Sequence, residues 1–185
     1  DVIGPRLVGT PQMKQANDWA VAKYDSWGIS ARNEKWGEWR GWERGITHLD
    51  MIYPRTQSLK GTQLAWSAAT SDTGVKAELV VLPTVENKAE FKKWLATIKG
   101  KAVMMSMKQP TGRPDYNWEE FATEESFEKM KKERDEQVKA WKQNIENTGY
   151  NYSIISALEE AGASALIASS WSKGFGVNKI FSSGT

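Results

Sequence analysis

Two apolar segments decide the fold of this chain: Gly100–Met107, which reads GKAVMMSM, and Ala157–Ser170, which reads ALEEAGASALIASS. The first is a short apolar run entered through Gly-Lys, a pattern typical of a strand buried on both faces. The second predicts a helix end, a stop at Gly162 and another buried strand at Ala165–Ala168. The long segment between the two strands leaves room for a crossover, so we expect both strands in one sheet.

The composition indicates a globular protein and excludes several kinds of site. The 185 residues carry a net charge of only +2 with both signs interspersed, which gives no nucleic-acid footprint. A chain of this size buries about 70% of its unfolded surface, enough for a core. One His and no Cys exclude thiolate zinc sites, disulfides and thiol nucleophiles. No apolar run reaches the ~20 residues of a membrane span.

The chain begins with Asp1 and shows no leader-like segment. From this we expect a processed or excised piece of a secreted or periplasmic protein.

Thr10 and Pro11 predict the start of an amphipathic helix over Pro11–Trp27, because Thr is a preferred N-cap and Pro suits the first helical position. Gly28 closes the segment. Apolar side chains recur within it at helical spacing: Met13, Ala16, Ala20, Tyr24 and Trp27.

Shorter elements follow along the chain. Alternating apolar residues predict a strand within Thr47–Tyr53 and a second at Val75–Leu82, after a turn at Ser71–Gly74. Asn87 and Glu90 form an Asx version of the capping box, which predicts a short helix before Gly100.

Between the two organising strands, a loop at Gln109–Asp115 precedes a long charged helix. We predict Asn117 as its N-cap, Trp118–Asn147 as its span, and a stop at Gly149. Arg134 interrupts its single apolar face, which carries Phe127, Met130, Val138, Trp141 and Ile145. One apolar stripe among charged residues predicts a helix on the domain surface.

The pattern GKAVMMSM followed by EEAGASALIAS resembles the protease-associated (PA) domain, which is often inserted in zinc exopeptidases of the M28 family. Independently, Gly9-Thr10-Pro11, then Ala16 and Trp19, then Trp27-Gly28-Ile29 resemble the opening of M28 peptidases.

The resemblance implies an α/β (α+β) fold: a small mixed β-sheet or open barrel flanked by helices, one long charged helix inserted, and an N-terminal amphipathic helix. It assigns residues 1–52 to the start of a peptidase domain. It assigns residues 53–185 to a PA-like domain with a helical insertion at about 108–150.

The metal-binding motifs of the family are incomplete here. M28 catalytic domains use a His-x-Asp pair, a second His and a Glu-Glu pair. His48-Leu49-Asp50 has the spacing, but it precedes the PA-like segment and no second His exists. Glu159-Glu160 falls in the last turn of a predicted helix, where a solvated face is expected. The resemblance therefore implies zinc in a catalytic domain outside this chain, with no catalytic, cofactor-binding or metal-binding residue within it.

Two groups of residues are candidates for substrate or partner contact. Trp36, Trp39 and Trp42, with Trp171, could form a stacking surface for peptide or sugar, although core packing or burial against a missing catalytic domain is the favoured explanation of these residues. Arg113, on the loop beside a proline, is a candidate bidentate partner for an acidic group, although a solvent-facing loop charge is the favoured explanation.

We therefore predict a non-catalytic PA region of an M28-like zinc exopeptidase, of aminopeptidase or carboxypeptidase type, that shapes substrate access or protein interaction. Its predicted partners are the catalytic domain of the same polypeptide and a peptide substrate, and the chain itself is expected to be inactive. If the N-terminal helix packs on an absent domain, its face should be exposed or paired in a homodimer: Met13, Ala20, Tyr24 and Trp27. The alternatives are a stand-alone extracellular peptide- or glycan-binding module and a metallohydrolase centred on His48 and Asp50.

Overall fold

The structure is a computed structural model that describes residues 2–38 and 40–169. The described residues form five α-helices and two small sheets, with no closed barrel in that part of the chain. The predicted mixed α and β class is therefore confirmed. The chain falls into two compact units that divide after Ala68. The assignment of residues 1–52 and 53–185 to a peptidase start and a PA-like domain stays a prediction.

Helix α1 spans Pro11–Ser26, as the sequence predicted to within one residue. Its N-cap is Thr10, whose Oγ1 accepts a hydrogen bond from the backbone N–H of Met13 at 3.3 Å. Gly28 follows the helix with φ +76°, a conformation that a residue without a Cβ adopts easily. None of the α1 side chains is buried, so local capping rather than packing defines this helix.

The rest of residues 2–68 contains one antiparallel ribbon, β1 (Leu49–Met51) with β2 (Gln57–Leu59). Strand β1 is the middle of the predicted strand at Thr47–Tyr53. Elsewhere in this unit, the backbones of Gly9 and Gly41 touch: a Cβ on Gly41 would lie 2.5 Å from the carbonyl oxygen of Gly9. Backbone contact that only glycine permits thus joins distant parts of this unit.

Residues 69–169 contain a parallel sheet of three strands in the order β3 (Leu79–Val81), β4 (Ala102–Met104) and β5 (Ala165–Ile167). The two organising segments of the sequence thus provide neighbouring strands, as predicted. Each strand is three residues long and shorter than the apolar run that contains it. The middle row of the sheet packs against the core: Val80, Val103 and Leu166.

Helices α2 (Lys88–Leu95) and α5 (Ile154–Glu160), the latter after a 3-10 turn at Asn151–Ser153, provide most of the core with the sheet. Asn87 caps α2 as predicted, since its Oδ1 accepts from two backbone N–H groups at 3.0 and 3.1 Å. Gly162 follows α5 with φ +85°, also as predicted. The buried cluster consists of Leu82, Val85, Phe91, Leu95, Ile98, Val103, Ile154, Ala157 and Leu158.

The predicted long charged helix is two helices, α3 (Asp115–Phe121) and α4 (Glu124–Thr148). The prediction that Asn117 caps a single helix was wrong, because Asn117 lies inside α3. The cause is local: Thr123 is extended and its Oγ1 accepts from the backbone N–H of Ser126 at 3.3 Å. A Thr N-cap followed by two acidic residues starts a new helix there. The end of α4 at Gly149, with φ +69°, is as predicted.

Side-chain amides hold α4 to the segment that follows β3. The buried Asn144 accepts a hydrogen bond from the backbone N–H of Val85 at 2.8 Å and donates one to the carbonyl oxygen of Pro83 at 2.9 Å. Asn147 donates to the carbonyl oxygen of Val85 at 2.9 Å. These bonds satisfy backbone groups that would otherwise be buried without partners.

Candidate functional site

Helix α1 presents three exposed rings, which we name the α1 aromatic surface: Trp19, Tyr24 and Trp27. Their exposed fractions are 62%, 47% and 61%. The rings of Tyr24 and Trp27 meet edge to face, with centroids 5.8 Å apart. The ammonium of Lys23 lies 5.3 Å from the centre of the Trp27 ring. The sequence predicted that this face is exposed or paired in a homodimer; Tyr24 and Trp27 are exposed, and Met13 and Ala20 are half-buried.

The four candidate tryptophans do not share one environment. Trp36 is 94% exposed. Trp42 is half-buried; its Nε1 donates a hydrogen bond to the carbonyl oxygen of Ser67 at 2.9 Å. Trp39 and Trp171 lie outside the described residues. A common stacking surface formed by these residues stays a prediction.

His48 and Asp50 lie side by side on the ribbon, with the His48 Nε2 and an Asp50 carboxylate oxygen 2.9 Å apart. The other Asp50 oxygen accepts a hydrogen bond from the hydroxyl of Ser58 at 2.7 Å, across the β1–β2 pair. The Ser58 hydroxyl, and to a smaller extent His48, hold the pKa of Asp50 below its ordinary value.

This arrangement is a surface hydrogen-bond chain and lacks the order of a nucleophilic triad. The hydroxyl of Ser58 bonds to the carboxylate of Asp50, whereas an activated serine needs its bond to a histidine base. Within residues 2–38 and 40–169, no three His, Asp or Glu side chains gather as a metal site would require. Glu159 and Glu160 are both exposed at the end of α5, as expected of a solvated helix face.

Arg113 is one of the residues that line a cleft of about 180 Å³ at α3. Its backbone N–H donates to the Thr111 hydroxyl at 3.1 Å, and its guanidinium Nη1 donates to the Asn117 side-chain oxygen at 3.4 Å. The side chains that line this cleft, which we name the α3 cleft, are Thr111, Arg113, Asn117, Trp118, Phe121 and Ala122.

Helix α3 is fixed to α4 by two contacts. Arg134, which interrupts the apolar face of α4, binds Asp115 through both guanidinium Nη atoms at 2.6 and 3.1 Å. The same hydrogen bonds raise the pKa of Arg134 above its ordinary value. The rings of Trp118 and Phe127 stack with an angle of 17° between their planes. The positive charge of Arg134, which interrupts the apolar face of α4, is therefore paired with Asp115 of α3.

Sequence analysis missed the other residues of the α3 cleft. Asn117 and Phe121 are four residues apart within α3, a spacing that places them on one helix face, and Arg113 lies on the loop just before that helix begins. Assigning Asn117 to a helix cap hid this pattern. A helix beginning directly after Pro114 would have revealed it.

The helices in the described part of the chain are all too short or too polar to cross a membrane.

Comparisons with known proteins identify no family. No protein-family model matches the chain, and no curated protein matches it. Among solved structures, the chain is similar to the crystal structure of a peptidase M28 precursor from Shewanella amazonensis SB2B, with 21% sequence identity and a TM-score of 0.47. The match covers 96% of this chain, which spans 37% of the length of that chain.

Proposed function

We propose that this chain is a non-catalytic accessory region of an M28-like zinc exopeptidase. Residues 2–68 dock on the catalytic part of that enzyme through the α1 aromatic surface, and residues 69–169 form a PA-like domain that shapes access of peptides to the active site. Zinc belongs to the catalytic part, and this chain supplies no bond-breaking group.

The observation that carries the proposal is the exposure of apolar side chains in residues 2–68. Helix α1 has a complete N-cap but no buried side chain, and its three large rings are exposed. Large exposed aromatic side chains, two of them here in contact with each other, are typical of surfaces that another protein covers. The Gly-Thr-Pro opening and the Trp-Gly end of the same helix are the motifs that resemble the start of M28 peptidases.

The arrangement of residues 69–169 supports the second half of the proposal. This unit has its own buried core and parallel sheet, as expected of an accessory domain that folds by itself. The segments that resemble the PA domain provide β4, the end of α5 and β5; Val103 of β4 belongs to the buried cluster, and Leu166 of β5 packs against it.

The test compares this chain with the complete product of its gene. We expect the gene to encode, after Thr185, a His-x-Asp pair, a Glu-Glu pair and a second His. The complete product should hydrolyse peptides in a zinc-dependent way, and residues 1–185 alone should not. Hydroxyl-radical footprinting should show Trp19 and Trp27 reactive in the short chain and protected in the complete product.

Tyr152 serves as the internal control, because it is fully exposed in residues 69–169 and should react equally in both samples. A gene that ends at Thr185, or α1 rings that stay reactive in an active complete product, would overturn the proposal.

One observation favours the second candidate, a stand-alone peptide- or glycan-binding module. Trp36 is almost fully exposed, as a stacking platform would be. Titration of residues 1–185 with glycans and peptides should then change the tryptophan fluorescence saturably, and Trp36→Ala should abolish that change. If the tryptophan fluorescence does not change in this titration, the accessory region is the better explanation.

A further inference from the structure

The α3 cleft is a second candidate site, distinct from the α1 aromatic surface. Its inner wall is one side of α3, and the loop at 111–113 closes it. At about 180 Å³ it is smaller than the roughly 300–1,000 Å³ of pockets that hold drug-sized ligands. The cleft therefore has room for about one amino-acid side chain.

The charge of the cleft comes from Arg113. The Arg113 side chain is exposed, and no carboxylate among the described residues lies within ion-pair distance of it. The nearest acidic neighbour in sequence, Asp115, is bound bidentately by Arg134. A guanidinium has five N–H donors, and the contact with Asn117 occupies one of them. Most of the donors of Arg113 are thus available to a ligand.

Two aromatic side chains also line the cleft. The ring of Phe121 is 67% exposed, and the half-buried indole of Trp118 packs between the cleft and Phe127. Arginine and aromatic side chains are both enriched at protein interfaces, and both kinds line this cleft. It suits a ligand that carries an anionic group on an apolar body.

The cleft is formed before any ligand arrives. The Arg134–Asp115 ion pair and the Trp118–Phe127 stack fix α3 against α4, and Pro114 at the start of α3 is buried. A preformed site avoids the entropy cost of ordering its walls on binding.

We propose that the α3 cleft binds the carboxylate of a peptide residue, with Arg113 as its bidentate partner and Phe121 in contact with its apolar part. A carboxylate matches the planar fork of a guanidinium. Arg113 is the only cation among the described residues that line the cleft, so one negative charge is balanced, whereas a phosphate would leave charge unpaired. This binding does not depend on the docking of residues 2–68.

The test is an NMR titration of residues 1–185 with three probes. N-acetyl-phenylalanine carries a terminal carboxylate, N-acetyl-glutamate amide carries a side-chain carboxylate, and N-acetyl-phenylalanine amide carries none. The indole Nε1–H of Trp118 is buried and has no hydrogen-bond partner among the described residues, which makes its resonance a local reporter. We expect weak, saturable shifts of that resonance with at least one acid and none with the amide.

Two arginine variants distinguish a specific contact with Arg113 from a general effect of removing one positive charge. Arg113→Met should weaken binding of the acid about tenfold or more, because a charge-assisted hydrogen-bond pair is lost. Arg55→Met, at an exposed arginine in residues 2–68, should leave it unchanged. Phe121→Ala should weaken the phenylalanine probe more than the glutamate probe.

Preference for N-acetyl-phenylalanine would assign the site to peptide C-termini, and preference for the glutamate probe would assign it to acidic side chains. Equal binding of acid and amide, an unchanged affinity in a folded Arg113→Met protein, or no shift with either acid would overturn the inference. None of these results bears on the footprinting test of the α1 aromatic surface.

Discussion

Residues 2–68 leave most of their large apolar side chains exposed, whereas residues 69–169 contain a buried apolar cluster. Twelve large apolar side chains are exposed in the first unit, and Ala65 is its only buried apolar residue among those the structure describes. In the second unit, Phe91, Ile98, Val103 and Leu158 are completely buried. Both units contain regular helices, so a helix can form here with or without a buried core beside it.

The difference teaches that α1 and α2 are stabilised in different ways. Each begins at a polar cap, Thr10 in one case and Asn87 in the other. Only α2 inserts side chains into a core, with Phe91 in contact with the rings of Trp94 and Tyr150. Most helical stability in proteins comes from packing, and among the described residues only α2 has that contribution.

The largest expected effect comes from truncating the core of the second unit. Phe91→Ala should cost about 3–5 kcal/mol of unfolding free energy, because it removes a completely buried ring and leaves a cavity. Trp27→Ala, at a ring that is 61% exposed, should change it by less than about 0.5 kcal/mol. Urea unfolding of both variants measures the contrast. Similar losses in the two would show that α1 is packed like α2.

A smaller effect is expected at the buried amide of α4. Asn144→Leu should cost about 2–3 kcal/mol, since the backbone N–H of Val85 and the carbonyl of Pro83 lose their partner. The exposed Lys142→Leu, on the same helix, is the matched control and should be nearly neutral. Urea unfolding again gives the values, and a neutral Asn144→Leu would mean that water replaces the amide.

Cap removal tests the two helices directly. Thr10→Ala should weaken α1 by about 1 kcal/mol, so its amides should exchange hydrogen about fivefold faster. Asn87→Ala removes the equivalent cap of α2, but the buried Phe91 and Leu95 keep that helix docked. Its amides should then open only with the whole unit. If the amides of α2 exchanged faster by as much as those of α1, packing would not be what holds α2 in place.

The smallest effect concerns the ribbon of the first unit. Ser58→Ala should raise the pKa of Asp50 toward its ordinary value, and His48→Gln should raise it less, because the serine bond is the larger cause. With the folded-state pKa lowered, the ribbon gains stability above the ordinary pKa of Asp50 and loses it as the pH falls through the folded-state pKa. Carboxyl NMR titration measures both shifts, and the reverse order would show that His48 dominates.

Much of the fold was predictable from local signals. The start of α1 at Thr10, the cap of α2 at Asn87 and the stop of α4 at Gly149 follow from a few neighbouring residues. The same logic also gave an error, because the Thr123 cap that ends α3 and starts α4 was overlooked in favour of Asn117. Of the candidate site, Arg113 was identifiable from its loop and charge, whereas Trp118 and Phe121 required the correct start of α3.

The sequence by itself determined where helices begin and end and which two segments pair as β4 and β5, since caps, glycines and apolar runs act over a few residues. Only the tertiary structure decided which side chains meet. Arg134 meets Asp115 across 19 residues, and Asn144 meets Val85 across 59. The residues of the α3 cleft are local, but α4 holds α3 in place through Arg134 and Phe127, and no local pattern encodes those contacts. Whether another segment covers the α1 rings is likewise not encoded locally.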